Sequence, residues 1–457
     1  MEPRPSQRVE RDLRSMIGDG IAWSAMVGLG ETYVPAFALA AGHGDLVAGL
    51  VATLPMLAGA LLQLATPIGV RRLGSYRAWV VACARLQAAS LLPLALWALA
   101  GRIPLPWLFV AAAAYWGFGM STMPAWNAWV GALVPSYLRA RFFARRTRFS
   151  QAALFLALVS AGAILERGSR HLGGTTAFGL LFACAALARL VSARFLARQS
   201  EPPGLAGSHR SLPLAQIRDA LRGREAKRVL IYLLGMQIAV QISAPYFTPF
   251  MLGPLALPYG SFTALLAMSF VARIAVLPWL GRLARARGAT WMLRAGALAI
   301  APLPPLWLVS DSFPYLLALQ ACAGIAWGTL ELATLLAFFE GLTPGERTSV
   351  LTVYNLASAL ALATGALLGA ALFHATGGGP AGFATLFVVS CVGRVLTLPL
   401  LIGVGGSGRA PEGMELPTVA VRPSIGAVQR PVLPEPEDPP VAHELGRLSF
   451  PPDDETR

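Results

Sequence analysis

Gly281-Arg282-Leu283-Ala284-Arg285-Ala286-Arg287-Gly288 is a short basic turn bounded by glycines, set between apolar stretches at 260–281 and 291–310. Three arginines in so short a run are too costly to leave in hydrocarbon, whereas each flank is long enough to cross it. The pattern is two antiparallel spans joined on the basic side of a bilayer. A second turn of the same kind, Arg71-Arg72-Leu73-Gly74, follows the apolar stretch 46–68.

Working outward, the same alternation fills the chain. Hydrophobic residues make up 55% of the 457 residues and charged ones only 13%, about half the charged fraction of an average soluble domain. Such a chain cannot cover its surface with polar groups and needs a bilayer as solvent. A span requires about 20 mostly apolar residues. Twelve stretches are expected on that basis: 17–40, 46–68, 78–100, 105–130, 149–166, 174–196, 229–252, 260–281, 291–310, 314–340, 349–374 and 380–404. Their many Gly, Ala, Ser and Pro residues suit membrane helices, whose backbones approach closely at small side chains.

The net charge of +14 is explained by position. With the N-terminus in the cytoplasm, one set of loops holds Arg71, Arg72, Arg77, Arg139, Arg141, Arg145, Arg146, Arg148, Arg282, Arg285, Arg287 and a basic central linker. The opposite set holds Arg102, Arg167 and Arg170. This is the positive-inside asymmetry, with the basic loops facing anionic headgroups rather than nucleic acid. It predicts a multi-pass protein of a plasma (inner) membrane with both termini cytoplasmic; the preference for Arg, which is every basic residue but Lys227, points to a GC-rich genome and a bacterial source.

The expected organisation is a cytoplasmic N-terminus (1–16), a first six-helix half (17–196), a cytoplasmic linker (197–227), a second six-helix half (228–404) and a disordered cytoplasmic tail (405–457) rich in Pro and acidic residues. Leu214, Ile217 and Leu221 share one face of a predicted surface helix inside the linker. The charged N-terminus runs into a full-length span without a signal-peptide cleavage pattern.

The halves echo each other. Tyr115-Trp116-Gly117 is followed by Leu133-Val134-Pro135 and Arg139; Ala326-Trp327-Gly328 is followed by Leu342-Thr343-Pro344 and Arg347. Parallel halves of this kind imply a substrate path at their interface. With six and six spans, a basic linker and paired turns after spans two and eight, residues 16–404 resemble the major facilitator superfamily. The resemblance implies an all-α membrane protein of twelve helices in two six-helix halves, working as a secondary transporter. The family's turn reads Gly-x-Leu-Ala-Asp-Arg-x-Gly. Gly281, Leu283, Ala284 and Gly288 match it, but Arg285 stands in place of the Asp, and Arg71 does so in the first half, where Arg72 and Gly74 complete the turn. The charge latch that the family builds on that Asp must therefore differ here. An Arg in span four and a Gly-Pro-Gly-Gly-like end of span five, typical of the family's drug/proton antiporters, are missing, which argues against a multidrug pump.

Charges at membrane depth need a reason, since each costs about 2.5–3.5 kcal/mol at the centre. Asp19 is near enough to the cytoplasmic edge to cap its helix or meet a loop arginine. Glu31, deeper in span one, is read either as a proton or substrate-amine site or as half of an ion pair. Arg85 and Arg273 lie about 12 Å from the cytoplasmic edge and could hold Asp19, Glu31 or Glu331, or an anionic substrate. Glu331 follows Trp327 by one turn and is read either as functional, a proton site together with Glu31 or a cradle for a cation or sugar ring, or as a buried partner for Arg273. Arg394 is assigned a structural role. Gln237 and Gln241 share a face of span seven, where Pro245 and Pro249 bend its outer half; in the family that half gates the pathway. Tyr115, Trp116, Asn127, Tyr354, Asn355 and Ser358 complete the expected cavity. Trp107, Trp291 and Trp307 are assigned to interfacial belts.

Cys83, Cys184, Cys322 and Cys391 stand singly, and the five histidines lie in or beside loops or in the tail. Neither metal ligation nor hydrolytic chemistry is expected, and there is no ATP-binding loop. The chain is therefore expected to be no enzyme, to need no cofactor, and to act as a monomer on a small-molecule substrate, with protons as the coupling ion. Efflux and facilitated diffusion are the alternatives within transport; a membrane-embedded enzyme, scramblase or receptor lies outside it.

Overall fold

The computed structural model describes residues 5–134, 136–171, 173–202, 224–340 and 344–402; the predicted linker helix, the tail and the Leu342-Thr343 repeat lie outside them, and the side chain of Asn355 is not described. Among the described residues every regular element is a helix.

Among the described residues nine helices are long and apolar enough to cross a membrane, fewer than the twelve expected, and the three remaining stretches have identifiable reasons. Pro5–Leu29 stops at Gly30 and resumes after a single 3-10 turn, Glu31–Tyr33, as Val34–Ala40. Leu105–Leu133 is one unbroken helix, but Trp116, Gly117, Ser121, Thr122 and Asn127 dilute its apolar character. Ala289–Ile300 ends before Pro302, and Pro304 and Pro305 permit only the short Leu303–Leu306 turn beyond it.

The helices pack in a repeated pattern. In the first half Pro5–Leu29 lies against Ser136–His171 and Thr176–Arg198, Leu54–Gln63 against Leu105–Leu133, and Tyr76–Leu99 against Leu105–Leu133 and Thr176–Arg198. In the second, Arg224–Ser243 lies against Pro344–Ala375 and Gly379–Thr397, Tyr259–Arg287 against Phe313–Glu340, and Ala289–Ile300 against Phe313–Glu340. Glycines set the closest approaches. A Cβ on Gly324 would sit 2.2 Å from the Ser269 carbonyl oxygen, and one on Gly365 2.4 Å from that of Ile238. The halves meet along two seams, Ser136–His171 with Tyr259–Arg287 and Asp45–Val51 plus Leu54–Gln63 with Pro344–Ala375.

The aromatic core repeats as well. Phe37, four residues after Tyr33, packs on Phe178 and Phe182. Phe250, four residues after Tyr246, packs on Phe383 and Phe387. Trp307 belongs to this second cluster, with its ring 5.4 Å from that of Phe247 and only 3% of its surface exposed. That corrects its assignment to an interfacial belt; Trp107 and Trp291 are exposed.

Candidate functional site

The two broken helices form the first part of the site. Gly30 interrupts the first, and Pro245, which has no amide hydrogen, lies in the 3-10 turn Ala244–Tyr246 that interrupts the second. Each turn ends in a buried tyrosine, and each tyrosine reaches the opposite half. The Tyr33 hydroxyl donates to the Leu158 carbonyl oxygen at 2.9 Å and lies 3.0 Å from Thr263 Oγ1. Because its only proton goes to Leu158, Thr263 is the donor in the second contact. The Tyr246 ring stacks on Phe373 and covers Gly49, where a Cβ would be 2.7 Å from the ring. These contacts close the bundle at the end remote from the N-terminus.

Glu31 sits in the first break, half-buried, and accepts a hydrogen bond from the Tyr115 hydroxyl at 2.8 Å. Both belong to the expected set. Beneath them lies a cluster around Asp19, the residue expected to cap its helix or meet a loop arginine; Arg189 was not among the expected site residues. Arg189 is 2% exposed; its Nε donates to Gln87 Oε1 at 2.8 Å and its Nη1 to Ser192 Oγ at 2.6 Å. Ser192 in turn donates to Asp19 at 2.7 Å, and Arg146 reaches the other Asp19 oxygen at 3.3 Å. Arg146 also donates to the Met16 carbonyl oxygen and covers the Trp126 ring, 4.6 Å from its centre. One carboxylate is thus shared, directly and through a hydroxyl, by two guanidinium groups. Arg146 is not a headgroup contact, as its place in a basic loop suggested; it is turned inward to Asp19.

Arg85 is not part of this cluster. It is exposed on the same face as Leu86 and Leu92, so it is Arg189, with Arg146, and not Arg85, that faces the interior here. A signal for Arg189 was present: Phe178, Phe182 and Arg189 have the same spacing as Phe383, Phe387 and Arg394. Arg394 is the counterpart and is also buried, donating to the Ile300 carbonyl oxygen at 2.7 Å and to Ser243 Oγ at 3.3 Å. The C-terminal end of a broken helix offers uncapped carbonyls and a negative dipole end, which compensates this cation.

In the second half Arg273 and Glu331 form a buried ion pair, Nη1 to Oε1 at 3.0 Å, with side chains 2% and 4% exposed. The helices come this close at Gly328, whose Cβ would lie 3.1 Å from Arg273 Cγ. Trp327 is buried beside them. The equivalent first-half positions are apolar: Gly117 meets Leu62, and Met120 meets Gly59. Of the two readings of Glu331, the structure supplies the partner for the ion pair. Gln237 is fully buried, and neither polar atom of its amide has a hydrogen-bond partner among the described residues. Gln241, 4% exposed, packs against Gly365 of Pro344–Ala375 within the same half. Of the turn residues, Arg71, Arg72, Gly74 and Arg285 are exposed and Gly281 is buried. Gly74 and Gly288 both hold positive φ, 63° and 79°, which explains a glycine at each.

No family model matches the sequence, and no curated protein matches it. Solved structures do. A mutant of the nucleoside transporter NupG aligns with a TM-score of 0.68 at 11% identity, over 86% of this chain and 99% of its own. A bacterial homologue of the human lysosomal transporter Spinster, inward-facing and occupied, aligns at 0.63 with 14% identity, over 88% and 97%. An auto-inhibited peptide transporter of the POT family aligns at 0.64 with 11% identity, over 85% and 96%. The chain is a multi-pass membrane protein with the fold of the major facilitator superfamily.

Proposed function

We propose, from that fold, that the chain is a secondary transporter moving a small polar solute by alternating access, with Glu31 as the proton-coupling group. The observation that carries this reading is the pair of broken helices whose tyrosines close one end of the bundle, each against the other half. Opening that end separates these two contacts together with others between the halves, such as Phe178 with Tyr259 and Glu166 with the Gly260 amide, while the helices within each half keep their packing.

The chemistry of the interior supports a neutral or zwitterionic solute. Asp19, Arg146, Arg273 and Glu331 are committed to one another, whereas Gln237 offers both a donor and an acceptor, and an unmet buried amide costs about 1–3 kcal/mol. Tyr115 and Trp116, edge to face at 5.8 Å, supply an aromatic wall. Glu31 lies half-buried in the break of the first helix and accepts from the Tyr115 phenol, which sets a carboxylate beside that wall. By the positive-inside asymmetry the closed end is periplasmic and the N-terminus cytoplasmic, in a bacterial inner membrane, with the two six-helix halves acting in one monomer. The basic turns Arg71–Gly74 and Gly281–Gly288 remain the proposed cytoplasmic gate.

The test begins with a thermal-shift screen of purified protein against nucleosides, sugars, amino acids, peptides, organic anions and drugs. The stabilising class is then assayed for uptake into proteoliposomes under an imposed pH gradient. Accumulation that Glu31→Gln abolishes supports the reading. Accumulation at the wild-type rate in that variant rejects the proton site, and equilibration without accumulation in the wild type identifies a uniporter.

A further inference from the structure

Ser136–His171 and Tyr259–Arg287, one from each half, leave a groove of about 790 Å³ between them on the outside of the bundle. Its walls are apolar: Phe155, Val159 and Ala163 on one side, Ala264 and Val271 on the other, and Phe313 from the next helix. Val159 and Val271 are 42% and 45% exposed, so the groove opens sideways into the hydrocarbon. Its inner end is closed by Phe155 stacked on Phe270, ring centres 6.0 Å apart. Its other end is charged. Glu166 accepts from the Gly260 amide at 3.1 Å and is also bound by Arg170, while Arg167 is exposed and has no ion-pair partner among the described residues.

The dimensions identify what fits. Arg167 and Phe155 are twelve residues apart on one helix, about 18 Å at 1.5 Å per residue. One leaflet's hydrocarbon is about 15 Å deep, half of the ~30 Å core. The groove is therefore one leaflet long, with a cation at headgroup level and an aromatic floor near the midplane. Its volume also falls in the range of small-molecule sites, about 300–1,000 Å³.

We propose that this groove binds a phospholipid with an anionic headgroup from the leaflet remote from the N-terminus, its phosphate at Arg167 and an acyl chain running down to Phe155 and Phe270. The apolar walls extend the full length of the groove, which a free phosphate would not use. The lipid touches both halves along the seam that Tyr33 and Thr263 tie from inside. It therefore favours the arrangement in which this end is closed. The proposal does not depend on the identity of any transported solute.

Purified full-length protein is titrated with phosphatidylglycerol and with phosphatidylcholine of identical chains, and bound lipid is counted by native mass spectrometry. Phosphatidylglycerol is expected to be retained about fivefold better, the scale of one basic residue meeting an anionic headgroup, and to raise the melting temperature. Arg167→Gln should bring the ratio to near one, and Val159→Trp, which fills the groove, should lower retention of both lipids while leaving the lipid-free melting temperature within a few degrees of wild type. A ratio unchanged by Arg167→Gln overturns the headgroup assignment. Undiminished retention in Val159→Trp, or displacement of the lipid by millimolar inorganic phosphate, overturns the acyl-chain site.

Discussion

Tyr33 and Thr263 are 230 positions apart in sequence, yet their hydroxyl oxygens lie 3.0 Å from each other in the interior. The first sits at a break in the first span, the second near the start of Tyr259–Arg287 in the other half. A buried hydrogen bond between bodies that must separate acts directly on the equilibrium between closed and open forms.

Tyr33→Phe removes this bond and the one to Leu158 without changing the ring. At about 1 kcal/mol for a net hydrogen bond, the population open at the remote end should rise about fivefold. Spin-label distances between the helix ends at 43 and 257 are the measurement, and an unchanged distance distribution would count against the latch.

The pseudo-symmetric site gives an independent check. A Cβ on Gly49 would meet the Tyr246 ring at 2.7–3.0 Å, tighter than normal contact. Gly49→Ala should shift the same distances in the same direction as Tyr33→Phe, and Gly49→Leu further. If both leave the closed form dominant, Tyr246 plays no part in closure.

Glu331→Gln strands the Arg273 guanidinium in a site where both side chains are almost wholly buried. Removing one partner of such a pair typically costs 3–5 kcal/mol. The double change Arg273→Met with Glu331→Leu should recover most of that loss, because it removes both desolvated charges. Melting temperatures of the three variants in detergent decide this; a Glu331→Gln protein as stable as wild type would contradict the pairing.

Gly324→Ala places a methyl group against the backbone oxygen of Ser269, at 2.2 Å. Backbone cannot move aside as a side-chain tip can, so the two helices must part. A loss of about 1–3 kcal/mol is expected, whereas Gly44→Ala, with open space around it, should cost far less. Thermal unfolding of the two variants side by side provides the comparison.

Asp19→Asn leaves Arg146 and Arg189 without the carboxylate they share. The variant should be less stable than wild type by several kcal/mol, with Asp19→Glu intermediate. Equal stability of Asp19→Asn would show that Gln87, Ser192 and backbone carbonyls suffice to hold both cations.

The membrane class, most of the spans and the two-half plan were legible in the chain, because hydropathy and the distribution of arginine act locally and need no tertiary information. Glu31, Gln237 and Arg273 were legible as polar groups at depth. Arg189 escaped notice because a single arginine near a cytoplasmic end reads as a snorkelling residue; only its spacing from Phe182, repeated by Phe387 and Arg394, carried the signal. Asp19 was legible as a partner for some loop arginine, but which arginine was not. A basic loop and a buried ion pair contain the same residue type, and the direction of the side chain separates them.

What the sequence alone determined is that this chain dissolves in a bilayer, which follows from the cost of placing charge in hydrocarbon, and that its turns and motifs recur. What tertiary structure decided is which polar groups cancel and which stay available. Asp19 with Arg146 and Ser192, and Glu331 with Arg273, are neutralised by neighbours distant in the chain, and Gln237 is not. The reason is geometric: an ion pair depends on a few ångströms between helices, and no periodicity within one helix records that distance.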